Sequence, residues 1–155
     1  MKAGQTAPNF SLYDSDKNKV TLAELKGAPV LLLFFPMAFT STCTEELCAI
    51  RDNISVYNKV SAKVFGISVD SVYTLARFKE DQQLNFSLLS DFNKETSTAY
   101  KAIYEKFNFD MKGVSKRAAF LIDSEGSIRY AEVLEDAGKQ PDFDAINGEL
   151  RRITE

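Results

Sequence analysis

Both cysteines of the chain, Cys43 and Cys48, fall inside one stretch, Phe35-Pro36-Met37-Ala38-Phe39-Thr40-Ser41-Thr42-Cys43-Thr44-Glu45-Glu46-Leu47-Cys48. A thiol is nucleophilic as the thiolate, which a helix N-terminus or a nearby cation stabilises. Thr42 with Glu45 three residues on has the form of a capping box, and Thr40 is a second candidate cap. On either choice Cys43 falls in the first turn of a helix. Unpaired N–H groups and the positive end of the helix dipole favour an anion there. Cysteine is also a common buried apolar filler, so it is the position of Cys43 that carries the functional reading.

The chain has no histidine. Cys–His and Ser–His pairs are therefore excluded, and with them papain-like and triad hydrolases. Histidine-ligated zinc is excluded too, and two cysteines cannot build a four-cysteine site. No metal or cofactor is expected. A Cys-x-x-Cys redox motif is absent. Whatever activates Cys43 must be the helix end, a cation or hydrogen bonds.

The elements that position these residues follow from patterning. Pro29-Val30-Leu31-Leu32-Leu33-Phe34-Phe35 is apolar throughout and is stopped by Pro36. It reads as a strand buried on both faces, ended by a residue with no N–H for a ladder. The helix after Thr42 places Leu47, Ile50, Ile54 and Tyr57 on one face. Further strands are expected at 10–12, 19–20, 64–69, 86–90, 118–122 and 128–134. Helical segments are expected at 21–27, from 70 or 71 to about 83, at 94–104 and at 143–153. Residues 105–116 read as a loop with Gly113, and 123–126 as a hairpin turn. Strands alternating with helices imply an α/β sandwich, a mixed central sheet with helices on both faces. No repeat, low-complexity tract or linker interrupts it, so residues 1–155 read as a single domain.

Pro36-x-x-x-Thr40-x-x-Cys43 resembles the active-site signature of the peroxiredoxins, thiol peroxidases of thioredoxin-like fold. Ala7-Pro8-x-Phe10-x-Leu12, Phe65-Gly66-Ile67-Ser68-Val69-Asp70, Leu88-Leu89-Ser90-Asp91 and Arg117-x-x-Phe120-Leu121-Ile122-Asp123 resemble further landmarks of that family, in its order. The Cys43-x-x-x-x-Cys48 spacing with Arg51-Asp52 is similar to the Q-type, bacterioferritin-comigratory branch. Met37-Ala38-Phe39-Thr40 is closer to the E-type wording, whose members often use one cysteine.

The resemblance implies roles. Cys43 is the peroxide-attacking thiolate, oxidised to a sulfenic acid. Thr40, Pro36 and Arg117 contact the peroxide or shield the sulfur. Without the resemblance, Arg117 is one of many surface cations and Thr40 a helix cap. Glu46 lies at i+3 from Cys43 on the same helix face. Unpaired, its charge would oppose a thiolate, so it is expected to pair with and orient an arginine. Met37 and Phe39 flank the site as pocket wall, subunit contact or core.

Cys48 is expected to resolve the sulfenic acid as an intramolecular disulfide. The rival is a one-cysteine enzyme reduced directly by an external thiol, with Cys48 facing the core. On an ideal helix, residues five apart have Cα atoms ~8.7 Å apart. A disulfide needs ~7 Å or less, so the first turn would have to unwind. The implied partners are a peroxide and a thioredoxin- or glutaredoxin-like reductant, with the chain a monomer or a homodimer. A general thiol–disulfide exchanger and a redox sensor or chaperone are the competing functions.

The totals agree. A length of 155 residues is ample for one core, and 45% hydrophobic with 26% charged residues is ordinary for a globular protein. The net charge of −3 gives no whole-surface attraction for nucleic acid or anionic membrane. No run approaches the ~20 apolar residues of a membrane span. Met1-Lys2-Ala3-Gly4-Gln5 lacks a signal-peptide core, so a cytoplasmic location is the expectation.

Overall fold

The computed structural model describes residues 1–155 and contains one seven-stranded sheet. Its strands are β1 (Ser11–Asp14), β2 (Lys19–Thr21), β3 (Val30–Phe34), β4 (Lys63–Ser68), β5 (Ser87–Ser90), β6 (Arg117–Ile122) and β7 (Ile128–Leu134). They lie in the order β2-β1-β5-β4-β3-β6-β7. β3, β4 and β5 run parallel, while β6 is antiparallel to β3 and β1 to β5. The mixed sheet expected from the alternating pattern is therefore present. β3 sits among these strands with all five residues buried, which is why its sequence shows no polar alternation.

Five α-helices complete the fold: α1 (Ser41–Asp52), α2 (Ser55–Asn58), α3 (Val72–Gln82), α4 (Glu95–Ala99) and α5 (Phe143–Thr154). Leu31 and Leu33 of β3 face one apolar layer, Leu32 and Phe34 the other, as a period of two requires. The first layer is closed by Leu47 and Ile50 of α1, Tyr57 of α2, Leu75 and Phe78 of α3, and Ile146 and Leu150 of α5. The second is closed by Ala7, Phe10, Leu22, Tyr100 and Ala102. Helical segments thus cover both faces, unequally. No helix is long and apolar enough to cross a membrane.

Two expected helices are corrected. The one through Leu47, Ile50, Ile54 and Tyr57 breaks after Asp52. Asn53 leaves helical geometry (φ −119°, ψ 20°), and its side-chain amide donates to the Ala49 carbonyl. This is the local competition with the backbone that disfavours asparagine inside helices. The helix expected at 94–104 ends at Ala99. Lys101 turns left-handed (φ 55°), and the N–H groups of Lys101 and Ala102 donate back to Thr98 and Ser97. That is a Schellman closure made without the usual glycine, so no stop signal is visible in the sequence.

Gly66 in β4 has a packing reason. A Cβ there would stand 2.7 Å from Leu88 Cδ2 and 3.2 Å from Phe35 Cε1. Its absence lets Phe35 seat fully against the sheet just before the chain leaves for α1.

Candidate active site

β3 delivers the chain to Pro36, and α1 begins five residues later. Phe39 takes a left-handed backbone (φ 69°) in the connecting loop. Asp70, just past β4, fastens that loop: its Oδ2 accepts from the Ala38 N–H at 2.8 Å and from the Ser68 hydroxyl at 2.7 Å. The parallel pairing of Phe34 with Ile67 brings the two strand ends together.

Thr40 is the N-cap residue of α1, extended at φ −90° and ψ 152°, and Thr42 is already inside the helix. The Thr42–Glu45 capping box does not form. Nor does the Thr40 side chain cap the helix: its hydroxyl donates to the Met37 carbonyl at 2.9 Å. Cys43 is the third helical residue, within the first turn as expected, and is fully buried.

Arg117 opens β6. Its neighbour Ala118 pairs with Phe34, so Arg117 lies one residue beyond the end of β3, beside the start of α1. It is only 1% exposed, and each of its guanidinium nitrogens donates one hydrogen bond. Nη2 donates to Cys43 Sγ at 3.0 Å, Nη1 to Glu46 Oε1 at 2.6 Å, and Nε to the Ala137 carbonyl at 3.0 Å. Burial opposes its charge, but Cys43 and Glu46 more than offset that and hold its pKa above the ordinary arginine value. The expected pairing of Glu46 with an arginine is therefore present. Glu46 is fully buried, and burial pushes its carboxyl up to about 7 against the pull of Arg117. Its Oε2 has no hydrogen-bond partner.

Cys48 is half-buried at the edge of the first apolar layer, its thiol 3.5 Å from Gln82 Oε1 on α3. Both thiols are free, and α1 runs unbroken through Cys43 and Cys48.

A pocket of about 240 Å³ adjoins the site. Pro36, Met37, Thr40, Thr42 and Arg117 line it on one side, Phe107, Phe109 and Met111 on the other. Met37 is thus pocket wall. Phe39 is not; it lies edge-on to Phe78 at 5.0 Å and is half-exposed.

Three contributors escaped the sequence reading. The Ala137 carbonyl has no side-chain signature. Asp70 reads only as the end of a family landmark and as one of two candidate helix starts, of which Ser71 fills the place, its Oγ accepting from the Thr74 N–H. Its position just past a strand parallel to β3 was the available signal. The Phe107–Met111 wall lies in a segment read only as loop.

Chemically, a buried sulfur at a helix start faces an arginine held in place by a carboxylate and a carbonyl. Such a site offers donors to an oxygen that gains charge beside the sulfur. No group of histidine, cysteine or acidic side chains is arranged to hold a metal ion.

Comparison with known proteins agrees with this geometry. The sequence model of the AhpC/TSA family matches residues 3–131. Peroxiredoxin Bcp of Escherichia coli K12 is 40% identical over 131 residues, covering 84% of each chain. The crystal structure of peroxidoxin BcpB from Mycobacterium tuberculosis superposes with a TM-score of 0.86 at 30% identity, over 99% of this chain and 98% of that one. The bacterioferritin comigratory protein of Xanthomonas campestris, a protein with alkyl peroxide reduction activity, gives 0.82 at 26% identity, over 94% and 92%. These relatives are of the branch to which the Cys43–Cys48 spacing pointed. The thioredoxin-like sandwich with its buried cysteine and arginine is thus that of a thiol peroxidase, and the chain belongs to the AhpC/TSA family, among the peroxiredoxins.

Proposed function

We propose that this peroxiredoxin reduces hydrogen peroxide and alkyl hydroperoxides through a Cys43 sulfenic acid. The observation that carries the reading is the 3.0 Å contact from Arg117 Nη2 to Cys43 Sγ in a buried site. The Cys43 thiolate attacks one peroxide oxygen and the O–O bond breaks. Sulfur keeps that oxygen as a sulfenic acid, and the other leaves as an alkoxide or hydroxide that takes up a proton. Arg117 has donors for the developing charge. The Thr40 hydroxyl, now on Met37, turns to the peroxide, and Pro36 screens the sulfur from water. Glu46 orients Arg117. The apolar Phe107, Phe109 and Met111 wall suits the carbon end of an alkyl hydroperoxide.

Cys48 then resolves the sulfenic acid as a disulfide after the first turn of α1 opens, and a thioredoxin- or glutaredoxin-like protein reduces it. The absence of a side-chain cap on that turn favours such opening. The packing of Cys48 against the apolar layer and its thiol contact with Gln82 favour the one-cysteine alternative. We place the cycle in the cytoplasm, whose reducing thiols would return Cys43 to its starting state.

Stopped-flow mixing of the reduced protein with a small excess of peroxide tests the reading. Peroxide should disappear in a fast bimolecular step at one equivalent per chain. A protein that exchanges disulfides but leaves peroxide untouched would refute it.

A further inference from the structure

Cys43, Glu46 and Arg117 form a cluster of two acids and one base, each at most 1% exposed. The single guanidinium donates to both acids. With both acids ionised, the cluster would carry a net negative charge away from water. One carboxylate oxygen, Glu46 Oε2, would also lie buried without a donor. An ionised oxygen in that position is far more costly than a neutral one.

We propose that Cys43 and Glu46 hold one proton between them, which Glu46 stores while Cys43 is a thiolate and releases when the peroxide is reduced. Orienting Arg117 is a separate task that Glu46 could perform in either protonation state.

The surroundings fit this. The charged group on Glu46 is Arg117 of β6, which also donates to Cys43 on Glu46's own helix; the nearby Tyr104 hydroxyl donates to the Leu134 and Glu135 carbonyls. Burial outweighs the arginine and brings the carboxyl up to about 7, where a proton moves readily.

The inventory balances. Before reaction the cluster is thiolate, guanidinium and carboxylic acid, with no net charge. The thiolate gives its electron pair to the peroxide, the O–O bond breaks, and an alkoxide or hydroxide departs. That oxygen gains one proton while Glu46 loses one, so the protons held by protein and products together are unchanged. After reaction the cluster is sulfenic acid, guanidinium and carboxylate, again with no net charge. Glu46 thus serves as a proton store behind Arg117 and does not touch the peroxide.

The inference rests on the reading that Cys43 is the oxidised residue. Its test therefore begins by confirming a Cys43 sulfenic acid by trapping and mass. A missing sulfenic acid would overturn the proposed function, whereas the readouts that follow bear on Glu46 alone. All measurements use Cys48→Ser, so that no second thiol consumes the sulfenic acid. In weak buffer near neutral pH, with an indicator dye, one equivalent of peroxide should cause no net proton uptake. Addition of Glu46→Gln, which keeps an acceptor for Arg117, should give uptake of one proton per sulfenic acid. Infrared difference spectra should show a carboxylic acid carbonyl band lost on oxidation, absent in the Glu46→Gln protein. A role confined to orienting Arg117 would move neither signal. Uptake of one proton by both proteins, uptake by neither, or an unchanged carboxylic acid band would overturn the proposal. If Glu46→Gln fails to fold, the proton count and the infrared band of the Cys48→Ser protein decide it without that variant.

Discussion

Cys43 Sγ and Arg117 Nη2 stand 3.0 Å apart although 74 residues separate them in the chain. The contact is built by two independent devices. β3 and the Asp70-fastened loop fix where α1 starts, and the antiparallel pairing of β6 with β3 fixes where the guanidinium lies.

Cys43→Ser should remove peroxide turnover and leave the fold unchanged, because serine is nearly isosteric with the buried thiol. Losing a general base costs ~10²–10⁴-fold, and losing the nucleophile should cost more. Stopped-flow peroxide consumption and circular dichroism, run together, check this. Residual turnover above about a hundredth of wild type would contradict it.

Arg117→Met keeps the apolar volume but removes three donors. Ultraviolet thiolate absorbance at fixed pH should fall. The rate with peroxide should drop by ~10²–10³-fold, the scale of losing one donor to a developing oxyanion. The variant also strands the Glu46 carboxyl, so its thermal midpoint should fall most at high pH.

Cys48 is tested by weighing the product. One equivalent of peroxide and a thiol-blocking reagent should give a monomer lighter by two hydrogens, with no blocked cysteine. Cys48→Ser should instead accumulate the sulfenic acid. A wild-type sulfenic acid that persists, with Cys48 still blocked by the reagent, would establish the one-cysteine cycle.

Stability should depend on pH through Glu46. Its carboxyl is raised from 4.5 to about 7 in the folded chain. Between those values the folded chain keeps a proton that the unfolded chain has released. Stability therefore falls as pH rises through the window, by on the order of 3 kcal/mol. Denaturant titrations of the reduced protein across that range measure the slope, and Glu46→Gln should flatten it.

Asp70→Ala removes the acceptor of the Ala38 N–H and the Ser68 hydroxyl. Peroxide turnover should fall by up to ~10²-fold, the scale of a small misplacement of reacting groups, although Asp70 contacts neither Cys43 nor Arg117. Crystals of the variant should show the Met37–Thr40 loop displaced. Unchanged turnover would mean that the loop holds its shape without this anchor.

Much of the site was legible because its signals are local. An apolar run, a proline and a cysteine after two threonines mark β3, Pro36 and the start of α1. The parts that were missed are those that folding supplies from elsewhere. The Ala137 carbonyl is backbone, which any residue provides. Asp70 looks like one more acidic residue before a helix until parallel pairing sets it beside Ala38. The capping box failed for a different reason. The pattern at Thr42 and Glu45 is genuine, but the extended backbone at Thr40 starts the helix two residues earlier. Lys101 likewise fills a left-handed closing position that the sequence would assign to glycine.

The face on which Arg117 lies has a mechanical consequence. Ala119 and Leu121 face the layer that contains Cys43, whereas Ala118, Phe120 and Ile122 face the opposite one. Arg117 follows the odd-numbered set. A single residue inserted between Arg117 and Ala118 would carry the guanidinium to the far side of the sheet, among Phe34 and Tyr100. Every strand could survive that insertion, yet the sulfur would lose its cation. Sensitivity to length change in β6 should therefore be separable from stability: one residue added at the strand's start would leave a folded but inert protein.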